Sequence, residues 1–149
     1  MNTQIRLLVA FIVMLAAILF FLMKLDESSS MTKSKNQVKH EMKTIGFSVA
    51  NAYFLDPGSF IGLIDKNHLI HEEVYSNLEL LGMLESIEYI MGPDRMKRSH
   101  ENSALMDYWG SKYEIQIQKS NDKLIIEMRS YGPDRSRNTP DDIVRRYQY

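Results

Sequence analysis

The sequence predicts an α+β domain carried on one N-terminal transmembrane helix, and three observations lead there. An unbroken apolar run stands near the N-terminus, a helical apolar stripe follows it, and past Trp109 the apolar spacing changes to two. At 149 residues the chain has room for one soluble domain once a membrane segment is set aside. The formal net charge is −1 with acids and bases interspersed, which leaves no basic footprint for nucleic acid. Cysteine is absent, so disulfides, thiolate metal sites and a cysteine nucleophile are excluded.

Residues 1–6 flank the first element, the apolar run from Leu7 to Met23 (LLVAFIVMLAAILFFLM). A helix of that length reaches roughly 25 Å, enough to cross a thin hydrocarbon core with snorkelling flanks. The run ends in Phe20, Phe21, Leu22 and Met23 rather than in a small-x-small site, so an uncleaved anchor is expected. A domain this small could not cover such a helix on every face, which argues against a buried core helix. Arg6 stands on one side and Lys24, Lys33, Lys35 and Lys39 on the other, so the positive-inside count does not favour export of the C-terminal part.

Residues 24–36 are polar and serine-rich and read as a hinge or as a solvated continuation of the helix, with Ser30 or Thr32 as an N-cap. The soluble domain is expected over 37–149. Val38, Met42, Ile45, Val49 and Ala52 recur at spacings of four and three until Asp56, Pro57 and Gly58 stop the pattern, which predicts an amphipathic helix. Val74, Leu78, Leu81, Leu84, Ile87 and Met91 predict a second helix between His71 and the break at Gly92 and Pro93.

Tyr113, Ile115 and Ile117 alternate with Glu114, Gln116 and Gln118, and Leu124, Ile126 and Met128 alternate with Ile125, Glu127 and Arg129. Ser120, Asn121 and Asp122 turn the chain between them, which predicts an antiparallel hairpin lying on the first amphipathic helix. From Tyr131 onward the composition is that of a structured turn rather than a strand.

That tail holds the richest candidate chemistry. Asp134, Asn138, Asp141 and Asp142 fall within nine positions, bent by Gly132, Pro133 and Pro140, and hard oxygens crowded in this way suit Ca²⁺. The other reading is an acidic turn whose carboxylates bond nearby backbone N–H groups and are neutralised by Arg135 and Arg137. His68 and His71 ahead of Glu72 and Glu73 could face zinc from one helical turn, but acids at a helix start also serve the macrodipole. Trp109 beside Gly110 reads as a core anchor. The tetrapeptide Gly-Pro-Asp-Arg at 92–95 and 132–135 reads as shared turn chemistry rather than a repeat.

The stretch Asp107, Tyr108, Trp109, Gly110, Ser111, Lys112, Tyr113, then a hairpin ending in SYGPDRSRNTPDDI, resembles the C-terminal half of the major pseudopilins of type II secretion. The specific motifs cover residues 107–143. The resemblance implies a calcium-stabilised periplasmic domain, with Asp134, Asp141 and Asp142 matching the family's acidic loop. It also implies a bacterial inner-membrane location, envelope or secretion-system partners and self-association. Met1 to Phe11 lacks the Gly-Phe junction and the membrane Glu by which that family assembles. Arg135 and Asn138 stand where many relatives carry Gly. A standalone anchored binding or regulatory module is therefore the second reading, and a cytoplasmic adaptor is the third. No nucleophile, base and orienting residue assemble from the sequence, so the expectation is that the chain is not an enzyme.

Overall fold

The computed structural model describes the backbone of residues 3–64 and 71–149, with side chains from residue 12 onward in those ranges. It is α+β, with five helices and a three-stranded antiparallel sheet among the described residues. Two compact units divide the chain, Met1–Ser34 and Lys35–Tyr149.

The first helix, α1, runs from Thr3 to Leu55. Of the two readings of residues 24–36, the structure shows helix continuation, and neither Ser30 nor Thr32 caps anything. Both lie inside α1, where the Thr32 and Ser34 hydroxyls donate back to the carbonyls of Ser28 and Ser30 at 3.0 and 2.9 Å. In the first unit the side chains from Ile12 to Leu25 are solvent-facing. Among the described residues no helix is long and apolar enough to cross a membrane, and residues 7–11 of the expected anchor lie outside the described side chains.

In the second unit the expected stripe is buried. Val38, Met42, Ile45, Val49 and Ala52 are each fully enclosed, within one cluster that includes Ile115, Ile117, Ile126 and Met128 of the sheet. Asp56 and Pro57 end α1, and Pro57 opens a short helix, α2 (Pro57–Ile61), whose Phe60 is buried.

The single second helix expected between His71 and Gly92 is instead two, α3 (His71–Leu80) and α4 (Leu84–Met91). Gly82 causes the break. Its φ of +67° lets the Gly82 N–H reach the Glu79 carbonyl at 3.1 Å and the Met83 N–H reach the Leu78 carbonyl at 2.8 Å. That double bond is a Schellman stop. Pro93 then starts α5 (Pro93–Asn102), a helix the apolar pattern does not announce, because its buried side chains are Arg95, Met96 and Ser99.

The hairpin stands as expected. Strands β1 (Glu114–Ser120) and β2 (Lys123–Ser130) pair with Ile115 opposite Met128 and Ile117 opposite Ile126. Asn121 and Asp122 both have positive φ, 48° and 62°, the mirror-image turn that suits the twist of two strands. The end of the tail departs from its expected turn. Ile143–Gln148 forms β3, antiparallel to β2, giving the order β1-β2-β3. Val144, Arg145 and Arg146 are exposed along this edge strand.

Candidate functional site

The acidic segment is the connection from Tyr131 to Asp142 between β2 and β3. Its base is fixed by a buried polar arrangement. Ser130, fully enclosed, donates its hydroxyl to Asp107 Oδ2 at 2.6 Å, and Asp107 Oδ1 accepts the backbone N–H groups of Trp109 and Ser111 at 3.0 and 2.8 Å. Burial pushes the Asp107 carboxyl above its ordinary value, against the pull of those three donors and the Gly110 N–H. Gly132 follows at φ +72°, and a Cβ there would lie 2.6 Å from the Asp141 carbonyl oxygen, so the two ends of the segment meet only over glycine.

Within the segment the carboxylates turn inward. Asp134 Oδ1 accepts the Ser136 N–H at 2.8 Å, Asp141 Oδ2 accepts the Asp134 N–H at 3.3 Å, and Asp142 Oδ2 accepts the Asn138 N–H at 3.0 Å. The Thr139 hydroxyl sits where they converge. Its oxygen is 2.7 Å from Asp141 Oδ1, 3.3 Å from Asp142 Oδ1, 3.4 Å from Asp134 Oδ1 and 3.1 Å from the Ser136 carbonyl. One hydroxyl proton can serve only one of these acceptors at full strength, so the point is rich in oxygen and short of positive charge.

The four residues expected as calcium ligands thus share a loop but differ in role. Asp134 and Asp141 have oxygens directed at Thr139. Asp142 is already engaged by Arg129, whose Nη1 lies 2.8 Å from its Oδ2. Asn138 holds a left-handed turn at φ +65° and donates its backbone N–H, and Arg135 holds another at +55°. The Thr139 hydroxyl, with the Asp134 N–H, holds Asp141 below the usual carboxylate range. Burial raises Asp142, but Arg129, Asn138 and Thr139 outweigh it and leave that carboxyl lowered too. The donor chemistry fits a hard cation, while among the described residues no group of three or more His, Cys, Asp or Glu side chains is gathered closely enough to hold one.

Arg129 and Arg137 tie the segment to the sheet through Glu114, at 3.5 and 3.2 Å, and the Tyr131 hydroxyl donates to the same carboxylate. Burial, then Glu114, pushes Tyr131 up to about 12.

Sequence reasoning missed a second polar cluster entirely. Glu41 of α1, 1% exposed, accepts both guanidinium nitrogens of Arg95, from Nη1 at 2.8 Å and from Nη2 at 2.6 Å. The Tyr113 hydroxyl donates to the same carboxylate at 2.8 Å, and Arg95 Nε donates to the Met91 carbonyl at 2.9 Å. The Tyr108 ring lies 5.6 Å from the Arg95 guanidinium carbon. Burial, followed by the charge of Glu41, drives the Tyr113 phenol well above its ordinary value. The one hint in the sequence was that Glu41 falls beside Met42 and Ile45, next to the buried stripe of α1.

Of the two histidines weighed for zinc, His68 lies outside the described residues. His71 is partly buried with an unpartnered Nδ1, and burial lowers its pKa. Trp109 packs partly buried against the core. A groove of about 390 Å³ opens between α1 and β3, walled by Phe47, Tyr147 and Tyr149 with Lys43 and His40 at its rim. Gly46 permits this approach, since a Cβ there would lie 3.0 Å from the Tyr147 ring. No known family, characterised protein or solved structure matches the chain.

Proposed function

We infer that this chain is a membrane-anchored, non-enzymatic envelope subunit acting through protein contacts, with its C-terminal domain presented outside a bacterial inner membrane as in the pseudopilins it resembles. The observation that carries the reading is the apolar surface of α1. From Ile12 to Leu25 its large aliphatic and aromatic side chains are between 48 and 72% exposed on all sides of the helix, and soluble proteins rarely expose such a band, which marks a surface for a membrane or a protein partner. Joined to Leu7 through Phe11 in the sequence, that band is long enough to span. Membrane fractionation tests this: the chain is expected to stay with the bilayer through alkaline carbonate and to leave it only in detergent. Recovery in the soluble fraction would overturn the anchor.

Calcium belongs to the same reading. An ion would have to draw Asp134, Asp141 and Asp142 closer together than they stand, displacing Thr139 as the point on which they converge, and it would supply positive charge and order to the loop. An ion present at one hundred times its dissociation constant adds about 2.7 kcal/mol to stability. Millimolar Ca²⁺ is expected to raise the melting temperature of the detergent-solubilised chain, and Asp134→Ala with Asp141→Ala is expected to abolish the gain. An unchanged melting temperature would remove the metal.

The absence of a membrane Glu favours a second reading, a standalone anchored module that does not assemble. Crosslinking in native membranes separates the two, since regular subunit multiples support assembly and a lone monomer band supports the module.

A further inference from the structure

Of the seven guanidiniums of the second unit, three have an acidic partner: Arg95 has Glu41, Arg129 has Asp142, and Arg137 has Glu114. Of the four that have none among the described residues, Arg145 and Arg146 stand exposed on β3, whereas Arg98 and Arg135 come from separate elements, α5 and the acidic loop, to one place. Both reach over Gly110. A Cβ built on that glycine would lie 3.6 Å from Arg98 Nη1 and 3.9 Å from Arg135 Nη2, with no other atom so close.

The floor under the two groups is stiff. Gly110 has φ +87°, its N–H bonds to the Asp107 carbonyl at 3.1 Å, and the Asp107 side chain is locked by Ser130 and two backbone N–H groups. The arms are positioned too. Arg98 lies one turn beyond Arg95, whose buried pair with Glu41 fixes α5, and Arg135 is aimed by its left-handed backbone. Two residues before Gly110, Tyr108 is 42% exposed, and arginine and exposed tyrosine together are the composition enriched at binding hot spots.

We propose that Arg98 and Arg135 form a two-guanidinium clamp over Gly110 that docks a carboxylate from an acidic segment of a partner protein. Two like charges brought together repel, and a carboxylate between them removes that repulsion while accepting a forked hydrogen bond from either side. The choice of a protein rather than a small anion rests on the reading of this chain as a contact subunit; the clamp needs neither the membrane nor calcium.

The test is fluorescence anisotropy of labelled hexaglutamate with the full-length chain in neutral detergent, at about 0.15 M salt, where charges more than about 8 Å away are screened, and with a chelator present. Arg98→Gln with Arg135→Gly is expected to weaken binding by about tenfold or more. Arg135→Gly also relieves the left-handed backbone, and an unchanged melting temperature of the double variant separates the loss from misfolding. Arg145→Gln with Arg146→Gln, which removes equal charge from β3, is expected to change binding less than about twofold, as exposed charges remote from a site do. Undiminished binding by the first variant, or an equal loss in the second, would overturn the clamp. Tighter binding of inorganic phosphate than of hexaglutamate would overturn its assignment to a protein carboxylate. Membrane fractionation reads the anchor independently, so failure of either leaves the other standing.

Discussion

Glu41 sits on a helix face surrounded by hydrocarbon, and its charge is tolerated only because Arg95 and Tyr113 supply three hydrogen bonds to its two oxygens. Glu41→Ala would leave the Arg95 guanidinium enclosed without a counter-charge, and a loss of about 3–5 kcal/mol is expected by urea unfolding. Tyr113→Phe removes one bond to a charged acceptor, with an expected loss of about 1.5–3 kcal/mol. Equal stability of Glu41→Ala and the unaltered chain would mean that water reaches the pair. Asp107 gives a pH signature of its own. Its folded pKa is raised, so the stability it contributes is complete below the ordinary carboxylate value of 3.8 and is lost as pH rises through the higher folded value. Asp107→Asn keeps an oxygen for the Trp109 and Ser111 N–H groups, and its stability is expected to lose that slope above pH 3.8. Asp141 and Asp142 have the opposite sign: both are lowered, so what they contribute is present above 3.8 and is lost on acidification below it. At this scale the sequence revealed the loop carboxylates by their crowding, whereas the Glu41–Arg95 pair joins positions 54 residues apart and no local pattern encodes it.

Among the elements, the hairpin and the buried half of α1 were readable because a single period of two or of 3.6 ran through each. The rest were hidden for stated physical reasons. Helix α5 buries an arginine and a serine in place of an apolar stripe, and β3 encloses only Ile143 before exposing three residues in succession. The break between α3 and α4 depends on one left-handed glycine inside an otherwise continuous stripe. Two substitutions probe the turns. Asp122→Gly relieves a left-handed backbone worth roughly 1–2 kcal/mol at the expense of about 0.5–1 kcal/mol of added unfolded-chain freedom, so a net gain of at most about 1 kcal/mol is expected from melting. Gly132→Ala drives a methyl group against the Asp141 carbonyl in a backbone region closed to alanine, so the loop must shift. Its expected signature is faster hydrogen exchange from Tyr131 to Asp142 with the hairpin still protected. Undisturbed exchange there would show that the two ends of the loop do not need to meet.

For the whole molecule, the chain divides into Met1–Ser34 and Lys35–Tyr149, and among the described residues the packed core is built from the second unit. Deleting residues 1–34 is therefore expected to leave a soluble, cooperatively melting fragment, while an aggregated or molten product would mean that the core draws on the first unit. The α+β class and the buried stripe were legible from composition and spacing. The three-stranded sheet and the five-helix count were not, because they depend on which segments meet across the core rather than on what each segment contains. Strand β3 has a further consequence. An open strand edge is a template for adding another strand, and here two adjacent guanidiniums stand along it. Charge repulsion of that kind acts over about 10 Å at 0.1 M salt and about 3 Å at 1 M, so the protection that keeps neighbouring copies from stacking into fibrils is itself ionic and weakens in brine.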